Sequence, residues 1–496
     1  MLSSWYVRAL PLQQRTGAEI FHALYGHGSL SEAVNGDQPA WHHIATLLES
    51  PAQLGAETPQ ARLSRYSICA GPPRWVGDRP RVWTPPIGEI LPMLSARLAT
   101  PCPPAVLLDE HGQPLMTPLE PFAGGWLGWL GYDLAWEIEA LPDQNPDPLP
   151  FPVAYWYEPE TFAIADHGTQ TLWLAATAPH QLDDMAGAIA TAQPEPPAEA
   201  SLIDSLNFAS TQHQYEAAVK QAQAHIQAGD IFQANLSLRF SSPTEADSWA
   251  IYRRLHQINP SPFASYWRTP WGDVISCSPE RLVSLRQVIQ DGNVYQQAET
   301  RPIAGTRPRG HSLATDHRLA QELINNLKER AEHIMLVDLE RNDLGRVCTW
   351  GTVQVNELMV IEPYSHVMHL VSNVVGQLDD DKTAVDLIRA AFPGGTITGC
   401  PKVRCMEIIE ALEPLRRSLF YGSCGYLDWR GHLDSNILIR TLLLGRDDAG
   451  QQTVWGQVGA GIVADSQPTQ EWQESLQKAQ AQFLAIGMLD SAMLPD

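Results

Sequence analysis

Basic residues are scarce. Lysine and arginine together number 33 against 56 aspartates and glutamates, which leaves a formal net charge of −23. So acidic a chain lacks the positive face that nucleic acid or an anionic membrane requires, and neither is an expected partner. An anionic small substrate is not excluded, because a local pocket can be basic, or carry a metal, on an acidic protein. Cysteine is scarce as well: the 496 residues include seven, and only Cys400 and Cys405 lie close together. An odd count without metal spacing argues against a disulfide framework and reads as reduced thiols. No stretch approaches the ~20 apolar residues that span a bilayer. The opening residues, MLSSWYVRALPL, carry one Arg and no long apolar core, so no signal peptide is expected and the cytoplasm is the default compartment. Walker spacing and a G-x-G-x-x-G turn are both missing, so a nucleotide phosphate loop is not supported.

Apolar residues make up 44% of the chain, enough for a substantial core. The clearest break in composition is TAQPEPPAEAS, residues 191–201, where proline and small residues can build neither helix nor central strand. It divides an N-terminal region, residues 1–190, from a linker, 191–204, and a C-terminal region, 205–490. The C-terminal region opens legibly. Thr211 and Gln214 have capping-box spacing, Tyr215, Ala218, Val219, Ala222 and Ile226 recur at helical spacing, and Gly229 stands where the helix would stop. IFQANLSLRF follows as a strand. Further helices are expected over residues 315–335 and 469–486, with strands at TVQVNELMVI, SCGYLDW and NILIRTLLLG. Helices alternating irregularly with paired strands predict an α+β fold with antiparallel or mixed sheets, and exclude a doubly wound parallel sheet.

Two acidic pairs stand out. Glu329 and Glu332 lie three apart on one predicted helix, and Glu471 and Glu474 repeat the spacing on the last. Residues so spaced share a helix face. Two such faces brought together make an oxygen-rich site for a hard divalent ion; apart, they are two solvated faces. GQVGAGIVADS places Gly459 and Gly461 before a helix, where backbone amides can approach an anion, or simply turn the chain. AFPGGTITGCPK is another Gly-rich turn into a helix. RPIAGTRPRG, residues 301–310, reads as a rigid loop. His366 and His369 are three apart, a pattern that core histidines also produce.

In their order and intervals these segments resemble the chorismate-utilising enzymes. The blocks that carry the resemblance are GDIFQANLSLRF, NPSPFASY, SCSPERL, RPIAGTRPRG, KERAEHIMLVDLERNDLGRV, EPYSHVMHLVS, FPGGTITGCPKVRCMEIIEALEP, GSCGYLDWRGHLDSNILIRTLL and GAGIVADSQPTQEWQES. They fill most of the stretch from 230 to 478, and LLESP, SRYSICAG and GGWLGWLGYDLAWEIE extend it toward the N-terminus. The resemblance implies a four-layer α/β/β/α core of two packed, largely antiparallel sheets, with the N- and C-terminal regions intertwined. It implies a magnesium-dependent site for chorismate. Glu332 and Glu474 match the metal ligands, with Glu329 and Glu471 supporting them through water. Arg440, Lys478 and Tyr426 match the positions that receive the enolpyruvyl carboxylate, helped by amides near Gly459 and Gly461. Glu280 matches the general acid that assists departure of the C4 hydroxyl, and Gly305, Thr306 and His369 line the ring.

Within the family, water-using isochorismate and salicylate synthases carry a Lys where this chain has Gln233, so the resemblance points to an ammonia-using enzyme. FPGGTITG, DLERNDLGRV, QANLSLRF and GHLDSNILIRT resemble aminodeoxychorismate synthases, which feed p-aminobenzoate and folate synthesis. Against them stands Ala304, where many of those enzymes have a nucleophilic Lys and anthranilate synthases have Ala. Aminodeoxychorismate is the expected product and anthranilate the alternative; a non-catalytic, tryptophan-binding relative is a third reading. LLES and NPSPF, through Glu49, Ser50, Asn259 and Pro260, resemble the family's tryptophan pocket, whose ligand is a feedback inhibitor or a structural component; an ordinary contact between sheets is the other reading. No segment resembles a glutamine amidotransferase, so a separate glutaminase subunit is expected to supply the ammonia.

Overall fold

The computed structural model describes residues 5–26, 40–50, 65–99, 107–109, 113–114, 119–196, 198, 203, 205–290, 292–310, 312–363 and 367–488. His366 lies outside them.

Two large sheets organise the chain. In the first, the strands Gln233–Pro243, Gln452–Ile462, Thr441–Arg446, Gly272–Ser278 and Phe263–Thr269 run side by side and antiparallel. The sheet continues into N-terminal strands: Ala45–Glu49 pairs with Phe263–Thr269, and Tyr66–Ala70, Thr161–Asp166 and Thr171–Ala176 follow. The second sheet carries Ile303–Pro308, Val367–Gln377, Asn293–Thr300, Arg281–Gln290, Leu433–Asn436 and Ser423–Asp428, and it too continues into an N-terminal strand, Gly125–Leu130. Both sheets are therefore continuous across the proline-rich linker, whose described residues beyond Thr191, the end of a helix, are irregular.

The inner faces of the sheets meet in an aromatic core. Trp129 from the second sheet packs edge-on against Trp267 from the first, ring centroids 5.9 Å apart, and tilts against Tyr155 at 4.5 Å. Both indoles are fully buried, and burying one such side chain contributes roughly 2–3 kcal/mol. Helices cover the outer faces. Gln212–Ala228, Ser248–Ile258 and Pro468–Ala485 lay Tyr215, Val219, Tyr252, Leu255, Trp472 and Phe483 on the first sheet. Leu313–Asn325 lays Leu323 on Met368 and Leu370 of the second. The layering is α/β/β/α, as expected.

Local signals explain most boundaries. Thr211 caps its helix by accepting from the Gln214 N–H at 3.3 Å, and Gly229 ends it with φ +80°. The helix expected over 315–335 is instead two, Leu313–Asn325 and Leu327–Gly345. Asn326 breaks the run because its side chain accepts from the N–H groups of Lys328 and Glu329 and so starts a new helix. NILIRTLLLG is likewise not one strand. Leu433–Asn436 belongs to the second sheet and Thr441–Arg446 to the first, and the chain crosses between them through Arg440, whose φ is +50°. A second crossing joins Gly272–Ser278 to Arg281–Gln290, and Glu280 stands on it. The two crossings are bonded together, the Ile437 N–H donating to the Glu280 carbonyl at 3.0 Å. The fold thus sets an acid and a guanidinium side by side where the sheets exchange strands.

Candidate functional site

Glu280 is 6% exposed. Burial pushes its carboxyl up to about 7, against the opposing pull of the Thr396 hydroxyl, the Ile303 N–H and the Arg440 charge. His369 lies within reach of the same arginine. Its Nδ1 meets the Thr306 hydroxyl at 2.9 Å, and burial with the nearby Arg440 charge lowers it to about 3, so the ring is neutral at physiological pH. Gly305 takes φ +72°, and a Cβ there would collide with the Glu329 carboxylate. The loop read from RPIAGTRPRG therefore joins Glu280, Arg440 and His369 on one side to the first acidic pair on the other.

The acidic pairs face each other. Glu329 holds Arg307 at 2.9 Å. Burial raises Glu332, helped by the charges of Glu329, Glu474 and Asp465 and opposed by Lys328. Glu471 is raised by burial and by Glu474, and it senses Lys328 from the opposite helix. Lys328 also reaches Asp465, at 3.6 Å, which ties the start of Leu327–Gly345 to the turn before Pro468–Ala485. Glu474 pairs with Lys478 at 2.8 Å, and the Lys478 ammonium donates to the Gly459 carbonyl at 3.2 Å.

Among the described residues, no three histidine, cysteine or carboxylate side chains converge closely enough to form a metal cluster by themselves. The donor chemistry nonetheless fits a hard divalent cation. All four side chains offer carboxylate oxygens, and Glu332 and Glu471 carry repulsion that a cation would relieve. Arg307 and Lys478 are the charges such an ion would compete with.

Between these poles, Gln233 presses its amide against Gly461, and its carbonyl oxygen is buried without a hydrogen-bond partner. The side-chain oxygen of Asn235 is also buried unpartnered, beside Gly459. The Asn235 side-chain N–H donates to the Thr396 carbonyl at 3.3 Å, which ties the strand Gln233–Pro243 to the turn Gly395–Thr398.

Two expectations need correction. Tyr426 does not join Arg440 and Lys478. It faces a separate cavity of about 110 Å3 with Glu49, Ser50, Pro262, Phe263 and Asn436. Strand alternation explains this, because successive side chains point to opposite faces. Tyr421 is the tyrosine at the glycine strand: its hydroxyl lies 2.9 Å from where a Cβ on Gly459 would stand. Its φ of +65° aims it there, and no sequence signal marks that conformation. Nor do Asn259 and Pro260 line the cavity beside Glu49 and Ser50. Asn259 ends the helix Ser248–Ile258 and accepts from the Arg440 guanidinium at 3.2 Å. Thr396 was a further omission, hidden inside a segment legible only as a glycine-rich turn.

Residues 96–483 match the family described as chorismate binding enzyme. A relative from Synechocystis sp., an anthranilate synthase component I-like protein, is 57% identical over 98% of this chain and 92% of its own. The aminodeoxychorismate synthase component 1 of Bacillus subtilis is 45% identical over 74% of this chain and 77% of its own. Among solved structures, anthranilate synthase component I from Streptococcus pneumoniae superposes with a TM-score of 0.66 at 30% identity, covering 87% of this chain and 94% of that one. The chain belongs to the chorismate binding enzymes.

Proposed function

We propose that this chorismate-utilising enzyme aminates its substrate with ammonia to give 4-amino-4-deoxychorismate. The observation that carries the reading is Glu280, buried beside Arg440 and balanced to hold a proton near pH 7. A carboxylic acid so poised can protonate a departing hydroxyl at working pH. Arg440 and Lys478 would take the substrate's enolpyruvyl carboxylate, a planar guanidinium suiting it well. Glu332 and Glu474, supported by Glu329 and Glu471, would hold magnesium, which supplies charge neutralisation at the ring carboxylate when bound. Gln233 offers an amide where water activation would need a base, which favours ammonia as the nucleophile. Ala304 has no nucleophilic atom, so the amine must enter without a covalent enzyme intermediate.

His369 bears on the choice of product. Making anthranilate requires a base to remove a carbon-bound proton as pyruvate leaves. A histidine whose conjugate acid lies at about 3 is a poor base, which supports amination without elimination. The anthranilate reading is favoured by Ala304 and by the name of the Synechocystis relative. Ammonia would come from a separate glutaminase subunit, and the cavity at Glu49 and Ser50 would take tryptophan.

The test is product analysis by mass after incubating the purified chain with chorismate, magnesium and an ammonium salt. Aminodeoxychorismate is expected, converted to p-aminobenzoate only when the downstream lyase is added. Fluorescent anthranilate forming without the lyase would overturn the assignment.

A further inference from the structure

We propose that Arg417 is a positioning residue for the substrate site: it holds the Tyr421 hydroxyl, the strand Gln233–Pro243 and the turn Gly395–Thr398 in one arrangement around Gly459. This rests on the reading of the glycine strand as the seat of a substrate carboxylate. Arg417 is 2% exposed, so its charge must be met inside the protein. Glu413, four residues earlier, meets it with both carboxylate oxygens, at 2.7 and 2.9 Å. Two further N–H groups go to backbone, one to the Ile397 carbonyl in the turn and one to the Asn235 carbonyl in the strand, each at 2.7 Å. The guanidinium also lies over the rings of Tyr132 and Tyr421, 4.8 and 4.7 Å from their centroids. A planar guanidinium can serve a carboxylate, two carbonyls and aromatic rings at once, because its donors point outward in the plane and leave its faces open.

Tyr421 has a left-handed backbone, which a bulky residue adopts only where its surroundings impose it. Its hydroxyl and the Asn235 side-chain oxygen lie 2.9 and 2.8 Å from the same point, where a Cβ on Gly459 would stand. The Lys478 ammonium donates to the carbonyl of that glycine at 3.2 Å. One buried group therefore touches the tyrosine and the strand that converge on Gly459, and the turn to which the Asn235 side chain is bonded.

The charge of Arg417 is met locally. Glu413 pairs with it and is itself held by the Ser237 N–H and hydroxyl, both at 2.8 Å. Arg417 thus acts by placement rather than by drawing the substrate from a distance. Groups that grip a carboxylate do so before and during the reaction alike, so misplacing them falls on KM more than on kcat.

The experiment is a double-mutant cycle on Arg417→Lys and Tyr421→Phe, using chorismate, magnesium and ammonium chloride, with Tm measured on each protein. Lysine keeps the charge for Glu413 and loses the planar set of donors. Arg417→Lys is expected to raise KM for chorismate about 10-fold, as a hydrogen bond to a charged group is lost, with kcat within about threefold. Tyr421→Phe should do the same, and the double variant should exceed neither single by more than about twofold. Glu413→Gln is the structural control. It breaks the buried ion pair and leaves Arg417 its two carbonyls, so Tm should fall while KM stays within about twofold. A wild-type KM in Arg417→Lys overturns the proposal, as do single effects that multiply in the double variant, or a KM that rises as Tm falls in Glu413→Gln as well. Should Arg417→Lys not fold, Tyr132→Leu takes its place in the cycle, because it strips an aromatic contact from the guanidinium and none of its hydrogen bonds. The same coupling to Tyr421→Phe is then expected with a smaller rise in KM, and an unmoved KM overturns the proposal. Wild type that consumes no chorismate under these conditions would instead defeat the functional reading, and the positioning role with it.

Discussion

The two ends of the candidate site are built on opposite principles. At the inner end, Glu280 and His369 are sealed at the crossing of two sheets, and burial decides their protonation: the acid keeps its proton and the histidine refuses one. At the outer end, Glu329, Glu332, Glu471 and Glu474 come from two helices that cover different sheets, and their mutual repulsion calls for a cation. Desolvation thus stores a proton at one end and demand for positive charge at the other. A substrate with two carboxylates and a hydroxyl leaving group spans such a polarity naturally.

The largest effect should come from removing the cation at the inner end. Arg440→Ala leaves a substrate carboxylate unpaired, which costs about 3–5 kcal/mol, or at least about 100-fold in kcat/KM. Steady-state kinetics would reveal it, and a loss below tenfold would mean the carboxylate binds elsewhere. Next, Glu332→Gln should abolish magnesium-dependent turnover while leaving Tm near wild type, by activity titration against magnesium and by calorimetry. Full activity in that variant would remove the acidic end from the comparison. Third, Glu280→Gln should lower kcat about 100-fold or more with little change in KM.

That third variant also tests burial through stability. The Glu280 carboxyl is raised from its ordinary value of 4.5 to about 7. In the pH interval between those values the folded chain holds a proton that the unfolded chain has released, so the group's contribution to stability falls as pH rises through it. Glu280→Gln should therefore be the more stable protein at about pH 8, by up to about 3 kcal/mol, with the advantage vanishing near pH 4.5. Equal denaturant midpoints for the two proteins at both pH values would show that burial does not tune this acid. The smallest effect is expected from Tyr426→Ala. Turnover should stay within about twofold, because the side chain faces the separate cavity, while any response to added tryptophan should weaken. A hundredfold loss would return Tyr426 to the catalytic end.

Much of the fold was legible because its signals are local. The capping pair Thr211 and Gln214, the stop at Gly229 and the final helix at Pro468–Ala485 depend on neighbours a few residues away. The acidic pairs were legible because helical spacing puts both members on one face. What escaped depends on direction. NILIRTLLLG reads as one apolar strand, and only the left-handed turn at Arg440 shows the chain changing sheets there. Tyr421 and Tyr426 lie in one short segment, yet one meets the glycine strand and the other a different cavity. Asn326 was missed because its capping role overrides an otherwise unbroken helical pattern.

The pairing of Gly125–Leu130 with Ser423–Asp428, and of Ala45–Glu49 with Phe263–Thr269, bears on how the protein is made. As the ribosome extends the chain, the early strands emerge with bare edges, and the second sheet waits for partners almost three hundred residues downstream. Bare edges of this kind recruit strands from other molecules. Synthesis of this enzyme should therefore lean on chaperones that shield nascent chains, and splitting its gene at the proline-rich stretch should yield two insoluble halves.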